Sequence, residues 1–196
     1  MTAQDELAGG ARLPERIEAG SLVLRRWTVE DVGRLSVAVE QNVEHLRPFM
    51  PWIAEEPLEE EERRLLIESW EARWRQGGDV VMAIERAGRV LGGCGLHRRR
   101  GAGVLEIGYW VDKDSVGQGI ATQAAAALTT AAFGVPGVEI VEIHHDRANA
   151  ASGAVARKLG YEFCGESAVS VSAPGETGVD CTWRMSRAAW RATSPA

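Results

Sequence analysis

The sequence has few cysteines and no long apolar segment. No run approaches the roughly 20 consecutive apolar residues that a membrane-spanning helix requires. The N-terminus lacks the basic-then-apolar pattern of a secretory signal, so we expect a cytoplasmic protein with no membrane partner. Cys94, Cys164 and Cys181 lie far apart and form no CxxC pair, which argues against a disulfide scaffold and against a structural zinc site.

Positive charge is also scarce. The chain has 22 lysines and arginines against 28 aspartates and glutamates, which gives a net charge of −6. Proteins that bind nucleic acid through its phosphates need clustered Lys and Arg, so no nucleic-acid partner is expected. The short basic run Arg98–Arg100 is interpreted as an exposed hairpin tip, with contact to an acidic substrate tail or to cofactor phosphates as the alternative.

Histidine is rare as well, with four residues in the chain. The only close pair, His144 and His145, alternates across a predicted strand, so the two rings cannot easily share a metal ion. The sequence therefore predicts no metal site.

The length and composition are those of one globular domain. A chain of 196 residues with an apolar fraction of 45% can bury a core of its own. Residues 1–18 mix Gly, Ala and charges without a period and predict a flexible N-terminal lead-in. We expect a single domain over residues 19–190 and a C-terminal tail at 191–196, and we find no internal repeat.

The first part of the chain predicts one strand and two helices. Alternation in residues 21–26 indicates the strand, and Thr28 followed by Asp31 has the spacing of a helix N-terminus. A longer helix is predicted over residues 58–76, before a Gly-Gly pair. Its apolar face is predicted from three residues spaced by four, namely Leu66, Trp70 and Trp74.

The rest of the chain alternates between strands and helices. Strands are predicted at 79–86, 89–97, 104–111, 139–145, 161–171 and 177–185. Helices are predicted at 119–133 and 149–159. The fold class is therefore α/β (α+β), with about seven strands and about four helices.

The most informative segment is Tyr109–Thr122, a strand followed by a glycine-rich turn that opens a helix. Gly117 and Gly119 allow the backbone to curl, so that successive N–H groups point into one small space. Those donors lie at the positive end of a helix dipole and suit a pyrophosphate, to which Thr122 can add a hydroxyl.

Two other nucleotide-binding motifs fit this segment less well. A P-loop requires GxxxxGK followed by Ser or Thr, and the chain has no such string. A Rossmann fingerprint requires a small residue three positions after Gly119, where Thr122 stands, although Glu139 and Glu142 lie at a suitable distance for a ribose-binding acid. The motif also follows an antiparallel meander late in a short chain, so NAD(P) binding is kept only as an alternative.

Two segments together carry a resemblance to a known family. EIGYWVDKDSVGQGIATQA, and then NAASGAVARKLGYEFCGE about 30 residues later, resemble the GNAT superfamily of N-acetyltransferases, specifically the RimJ/RimL type. The resemblance covers nearly the whole chain. It implies a central mixed, mostly antiparallel twisted sheet that splays at the CoA site. It also implies acetyl-CoA, or another acyl-CoA, as co-substrate, without a metal.

The resemblance assigns the CoA contacts. The strand through Trp110 and Val111 would pair with the pantetheine amides, as another β-strand would. The family's pyrophosphate loop binds through main-chain amides, so the Val at its first position, where the family has Gln or Arg, weakens the fit little. The residues of this loop in the chain are Val116, Gly117, Gln118, Gly119, Ile120, Ala121 and Thr122.

The start of the following helix supplies the remaining family positions. Asn149 would contact the pantetheine arm and Ser152 would lie near the thioester sulfur, while a helix N-cap with its first-turn partner is the alternative role for this pair. Many members carry a tyrosine acid where this chain has Ala156. Ser152 is therefore expected to donate a hydrogen bond to the sulfur, and Tyr161 is expected to pack in the core.

The general base is open at this point. Glu106 on the central strand is the first candidate, because related enzymes often place a carboxylate there. The alternative for Glu106 is a structural acid paired to a neighbouring Arg or backbone N–H. His144 and His145 are further candidates, since one of them should face the cleft.

The resemblance implies an N-acyltransferase that modifies a primary amine, with a protein or peptide N-terminus as the first choice. Direct attack within a ternary complex is the expected mechanism. The amine pocket is expected to form from residues 45–52, the Arg98 region and residues 169–177. The alternatives are a small-molecule amine acceptor and a non-catalytic acyl-CoA-binding module, and a homodimer is left open.

Overall fold

A computed structural model describes residues 13–193 of the chain. They form one eight-stranded sheet in the order β1-β2-β3-β4-β5-β6-β8-β7. Neighbouring strands are antiparallel except β5 and β6, which are parallel. The strands are β1 Arg16–Ala19, β2 Leu22–Arg26, β3 Val80–Arg86, β4 Arg89–His97, β5 Val104–Val111, β6 Ile140–Asp146, β7 Glu162–Ala168 and β8 Val179–Ser186.

Helices cover both faces of the sheet. The α-helices of the described residues are α1 Val32–Glu40, α2 Val43–Leu46, α3 Glu60–Arg75, α4 Ile120–Gly134, α5 Ala150–Lys158 and α6 Arg187–Thr193. Apolar residues of α4 and α5 join the larger core cluster on one side, here called the α4 face. Apolar residues of α1 and α3 join a second cluster on the other side, here called the α3 face.

Most predicted elements are confirmed within one to three residues. The structure adds β1, whose four residues fall mostly within the expected lead-in, the single-turn helix α2, and α6, which runs into the expected tail. These three elements are short and carry little periodic signal, so the structure has one strand and two helices more than the approximate prediction. The rest of the expected lead-in and tail, residues 1–12 and 194–196, lies outside the described residues. No helix within residues 13–193 is both long and apolar enough to cross a membrane.

The buried face of α3 differs from the prediction. Ile67, rather than Leu66, is fully buried, and the seam also contains Arg63. The Arg63 guanidinium donates to both carboxylate oxygens of Glu56 at 2.8 and 2.6 Å, and both side chains are about 2% exposed. Trp74 is buried and Trp70 packs against the second cluster as predicted, so only the position of Leu66 was wrong. An apolar spacing rule passes over an arginine, which is why the first turn of the buried face was missed.

The first helical segment begins as the sequence predicts, and its capping acid is also an ion-pair centre. The backbone N–H of Thr28 donates to the Asp31 carboxylate at 3.1 Å. The same carboxylate accepts from Arg25 at 2.6 and 2.8 Å and from Arg34 at 3.0 Å. Glu85 on β3 binds both arginines as well, so the four side chains tie β2, β3 and α1 together.

The parallel strands β5 and β6 pair over only part of their length. Their register runs from Val104 opposite Ile140 to Ile107 opposite Ile143 and then stops. Beyond that point β5 stays paired with β4 up to Val111, and β6 stays paired with β8 up to Asp146. The sheet therefore opens into a fork between residues 108–111 and 144–146, with a free backbone edge on each side.

We predict that the ion-pair centre at Asp31 makes stability depend on acid. Burial disfavours the charge, but the hydrogen bonds from Arg25 and Thr28 outweigh it and lower the pKa of Asp31 to about 2. Because the folded pKa lies below the unfolded value, the stabilisation is complete above about pH 4 and is lost as pH falls towards 2. Asp31→Asn should lower the free energy of unfolding by about 2 kcal/mol at neutral pH.

Urea unfolding at a series of pH values tests this prediction. The difference between wild type and Asp31→Asn should shrink as pH falls from about 4 to about 2, because only the wild type has this charge to lose. Glu40→Gln, which removes an exposed carboxylate at the end of α1 with no ion pair among the described residues, should keep the wild-type pH dependence. A difference between wild type and Asp31→Asn that stays constant over this range would contradict the assignment.

Candidate active site

The free edge of β5 is the first part of the candidate site. Tyr109 and Val111 pack against the core of the α4 face, so Gly108 and Trp110 project towards the α3 face. The Trp110 ring lies across Gly93 of β4, where a Cβ atom would be 2.5 Å from the indole nitrogen. One side of this strand is therefore held by β4, and the backbone groups of the other side are open to a ligand that pairs like a strand.

The glycine-rich loop forms the second part. Gly117 and Gly119 have φ angles of 75° and 76°, and Gly119 is the N-cap residue of α4. The N–H groups of residues 117–119 donate to no protein acceptor among the described residues. Val116 and Gln118 are exposed, whereas Ile120 is buried in the core and fixes the helix start. The loop thus presents unpaired donors at a helix N-terminus, the arrangement that suits a pyrophosphate.

The third part is the N-terminus of α5, which lies beside the fork on the α4 face. Asn149 is the N-cap residue, and its side-chain oxygen accepts from the Ser152 N–H at 3.2 Å. The Asn149 amide nitrogen has no hydrogen-bond partner among the described residues, so it remains available for a ligand. The capping role and a binding role are compatible, as the sequence suggested.

Tyr109 is a site residue that the sequence did not identify. Its hydroxyl lies 2.9 Å from the Ser152 Oγ and also 3.2 Å from the Ser152 carbonyl oxygen. Burial raises the pKa of Tyr109 to about 12, with the Ser152 hydrogen bond opposing this, so the phenol keeps its proton at neutral pH. The two residues are 43 positions apart, and no local pattern in the sequence joins them.

Two further positions considered in the sequence lie in the core. Ala156, at the position of the family's tyrosine acid, is fully buried in the core of the α4 face. Tyr161 is buried as predicted, and its hydroxyl lies 2.7 Å from the hydroxyl of Thr129.

Glu106 is held in an ion pair. Its buried carboxylate accepts from Arg99 Nε at 3.0 Å and from Arg100 Nε at 2.5 Å. Burial works against ionisation, but the two arginines outweigh it and the pKa of Glu106 is lowered. A carboxylate stabilised in this way is a weak base, so the geometry supports the structural role that the sequence left open. The basic run binds this internal acid, so it is not simply an exposed tip.

Neither neighbouring histidine offers a free nitrogen. His145 Nε2 accepts from Trp183 Nε1 at 3.0 Å, and Nδ1 lies 2.8 Å from the Asp146 carbonyl oxygen. His144 has a carboxylate oxygen 2.8 Å from each ring nitrogen, from Glu142 and from Asp180. All four nitrogen atoms face a protein partner, so an amine could reach none of them without displacing that partner.

Two of the three segments expected to form the amine pocket meet on the α3 face. The Gly175 N–H donates to the Pro48 carbonyl oxygen at 2.8 Å, which brings the β7–β8 loop against the segment after α2. Trp52 lies beside Trp110 with ring centroids 6.4 Å apart. An acceptor entering from this face would therefore meet the fork on the side opposite Ser152. Within residues 13–193, no group of three or more His, Cys, Asp or Glu is arranged to hold a metal ion.

Comparison with known proteins gives a consistent result. The sequence model of the family described as an acetyltransferase (GNAT) domain matches residues 21–162. A protein of Bacillus subtilis (strain 168) named "Putative ribosomal N-acetyltransferase YdaF" is 28% identical over 142 residues, which cover 71% of this chain and 77% of that protein.

Solved structures share the fold. RimL, the ribosomal L7/L12 α-N-protein acetyltransferase in complex with coenzyme A, has a TM-score of 0.80 at 23% identity, covering 89% of this chain and 99% of RimL. The microcin C7 self-immunity acetyltransferase MccE, in complex with acetyl-CoA and AMP, has a TM-score of 0.77 at 17% identity, covering 85% of this chain and 93% of MccE.

We predict that Gly153 is required for α5 to lie close to β6. A Cβ atom at this position would be 2.8 Å from His145 Nε2, and the His145 ring is fixed by its two hydrogen bonds. Gly153→Ala should therefore lower the free energy of unfolding by about 1–3 kcal/mol. Gly134→Ala is the matched control, because this helical glycine has nothing within 4 Å of its Cβ position. In denaturant titrations, equal midpoints for the two variants would contradict the close contact.

Proposed function

The chain belongs to the GNAT acetyltransferase family, and we propose that its amine substrate is a protein or peptide N-terminus. Family membership makes it an N-acetyltransferase that uses acetyl-CoA. The observation that supports the proposed site most strongly is the fork between β5 and β6, because its free edge leads directly to the unpaired donors of the glycine loop.

The proposed reaction is direct attack within a ternary complex. The acceptor ammonium loses a proton, and the nitrogen lone pair forms a C–N bond to the thioester carbonyl carbon. The C–S bond breaks and its electron pair leaves on sulfur as a thiolate, while the nitrogen releases its second proton as the amide forms and the thiolate takes up one proton to give CoA thiol. The protein must therefore position the thioester, supply a base for the amine and stabilise the thiolate.

Ser152 is the residue proposed to stabilise the thiolate. Ser152 and Tyr109 each have one hydroxyl proton. If Tyr109 donates to the Ser152 carbonyl, the serine hydroxyl is left to donate to the tyrosine. When an anion lies beside Ser152, the favoured arrangement has Tyr109 donating to Ser152 Oγ and the serine proton directed at sulfur.

The choice of an α-amine has a chemical basis. An α-ammonium has a pKa of about 7.7–8.0, whereas a lysine ammonium has a pKa of about 10.4, so the α-amine is easier to deprotonate by about 3.4 kcal/mol. The Bacillus subtilis relative and RimL both bear names that describe ribosomal N-acetyltransferases. A small-molecule amine is the second candidate, since MccE is named as a self-immunity enzyme for microcin C7. A binding module without turnover is the third, because Ala156 replaces the family's tyrosine acid.

We predict that a charge in the glycine loop abolishes CoA binding. Gly119→Glu places a side chain at a φ of 76° and a carboxylate among the proposed pyrophosphate donors, so affinity for acetyl-CoA should fall by about 100-fold or more, equivalent to about 2.7 kcal/mol. Gly77→Glu is the matched control, because Gly77 has a φ of 75° and equally open surroundings at the end of α3. The control should bind acetyl-CoA normally.

Calorimetry with acetyl-CoA, succinyl-CoA and NADH provides the measurement. Binding of a CoA thioester to wild type and control, with loss in Gly119→Glu, supports the site and indicates which acyl chain is preferred. Failure of every CoA species to bind would overturn the proposed site. Binding of NADH instead would direct attention to the dinucleotide alternative.

We also predict that Tyr109 and Ser152 act as one unit on the leaving group. Ser152→Ala should lower kcat by about 100-fold, and Tyr109→Phe by about tenfold, with little change in KM for acetyl-CoA. In the Ser152→Ala background, Tyr109→Phe should have no further effect on kcat, because it acts through the serine. Release of free CoA thiol measures each rate. If Tyr109→Phe lowered kcat by the same factor in wild type and in Ser152→Ala, the two hydroxyls would act independently and the prediction would be wrong.

A further inference from the structure

A histidine outside the predicted set has the geometry of a base. His97, the last residue of β4, has its Nδ1 3.0 Å from Asp79 Oδ2. The other oxygen of Asp79 accepts from the Arg98 N–H at 2.8 Å, which fixes the orientation of the carboxylate. The hydrogen bond from His97, which outweighs burial, lowers the pKa of Asp79, so this carboxylate is ionised at neutral pH. An ionised acceptor at Nδ1 places the ring proton there and leaves the Nε2 lone pair free.

The free nitrogen lies at the opening of the fork. No residue that the structure describes forms a hydrogen bond to His97 Nε2. A Cβ atom at Gly108 would be 3.2 Å from Nε2, so the ring stands directly over that glycine. Gly108 is the first residue of β5 beyond its last pair with β6. The absence of a side chain there leaves Nε2 uncovered above the strand.

His97 and Ser152 approach the same point from opposite faces. His97 lies over Gly108 on the α3 face, and Ser152 contacts the next residue, Tyr109, on the α4 face. Adjacent residues in a strand are about 3.4 Å apart along its axis. A thioester lying in the fork at this level would have a hydroxyl donor on one side and an imidazole on the other.

We infer that His97 is the general base that deprotonates the acceptor ammonium, and that Asp79 is the residue that positions it. This inference rests on the proposed function. One proton moves from the ammonium nitrogen to Nε2, and the nitrogen lone pair then attacks the carbonyl carbon. The C–S electron pair leaves on sulfur beside Ser152, and the second proton of the nitrogen passes to this thiolate as the amide forms. The imidazolium returns its proton to solvent, so the residue is ready for the next acceptor.

The charged groups around His97 allow this role. Asp79 at the start of β3 stabilises the imidazolium, and Glu106 lies directly opposite His97 in the β4–β5 register. Arg99 and Arg100 engage Glu106, so that carboxylate does not compete for the imidazole.

An imidazole base also favours one class of amine. For any given base, an α-ammonium gives up its proton more easily than a lysine ammonium by roughly 2.5 pKa units. The Asp79–His97 pair therefore suits a peptide N-terminus better than a lysine side chain. This preference for an α-amine follows from the chemistry of proton transfer and does not depend on the likeness of the fold to other acetyltransferases.

The test compares the pH dependence of kcat/KM for a peptide α-amine in wild type, His97→Gln and Asp79→Asn. Gln can still donate to Asp79 but cannot take up a proton. In Asp79→Asn, the side-chain oxygen of Asn still accepts from the Arg98 N–H, so its NH2 group faces His97 Nδ1. Because an NH2 group donates, Nδ1 must then be the acceptor and the ring proton moves to Nε2. Both variants should lose about 100-fold or more near pH 7, and the double variant should lose no more than His97→Gln alone.

The difference in kcat/KM between wild type and each variant should become smaller towards pH 9, where an α-amine is already largely neutral. The KM for acetyl-CoA should stay within about twofold of the wild-type value. Exogenous imidazole should restore part of the rate to His97→Ala. A loss in His97→Gln that is constant with pH, or failure of imidazole to restore any rate, would overturn the inference. The same holds if Glu106→Gln, and not His97→Gln, changes the pH profile.

Failure of the inference can be told apart from failure of the proposed function. If wild type binds acetyl-CoA and acetylates a peptide, the proposed function stands, and the variants then test only the role of His97. If wild type binds acetyl-CoA but acetylates no member of a panel of peptide, lysine and small-molecule amines, both are overturned. Urea unfolding of each variant verifies that it is folded under the assay conditions.

Discussion

The loss of pairing between β5 and β6 after Ile107 and Ile143 is the constraint on which the rest of the site depends. Each strand stays paired beyond that point with its other neighbour, β4 or β8. Backbone groups in the interior of a protein need hydrogen-bond partners, so an open edge in the middle of a sheet favours a ligand with amides of its own. The fork also narrows the choice of reactive side chains, because a thioester held at the level of Gly108 and Tyr109 lies near His97 and Ser152.

Buried charges in this protein are closely paired, and this narrows the choice of reactive groups. Glu56 and Glu142 each pair with one arginine, and Asp31 and Glu106 each pair with two. Breaking a buried pair leaves an uncompensated charge and costs several kcal/mol, so these acids are poor candidates for a role that requires them to exchange protons. His97 differs from these acids, because its Nε2 has no hydrogen-bond partner among the described residues and can therefore accept a proton without breaking an ion pair.

Local patterns predicted the elements well and the site in part. Strand and helix limits were close because glycine turns and alternation mark them in the sequence, and the geometry of the glycine loop could be anticipated because its donors come from one continuous segment. The contacts of Tyr109 with Ser152, and of His97 with Asp79, join residues 43 and 18 positions apart and depend on sheet register and helix docking. The role of Glu106 could not be decided from its position alone, because its partners lie in the preceding turn.

Parallel strands cannot be joined by a tight turn, and this affects when the site is completed during folding. The connection from β5 to β6 contains α4, so the two strands can pair only after this whole segment has crossed the sheet. Contacts between such distant segments form slowly, because the entropy of loop closure is lost before the contacts stabilise the chain. A chain synthesised only as far as α4 has the glycine loop but lacks the second limb of the fork and Ser152. The cleft is therefore absent from any such incomplete chain, which cannot enclose a thioester.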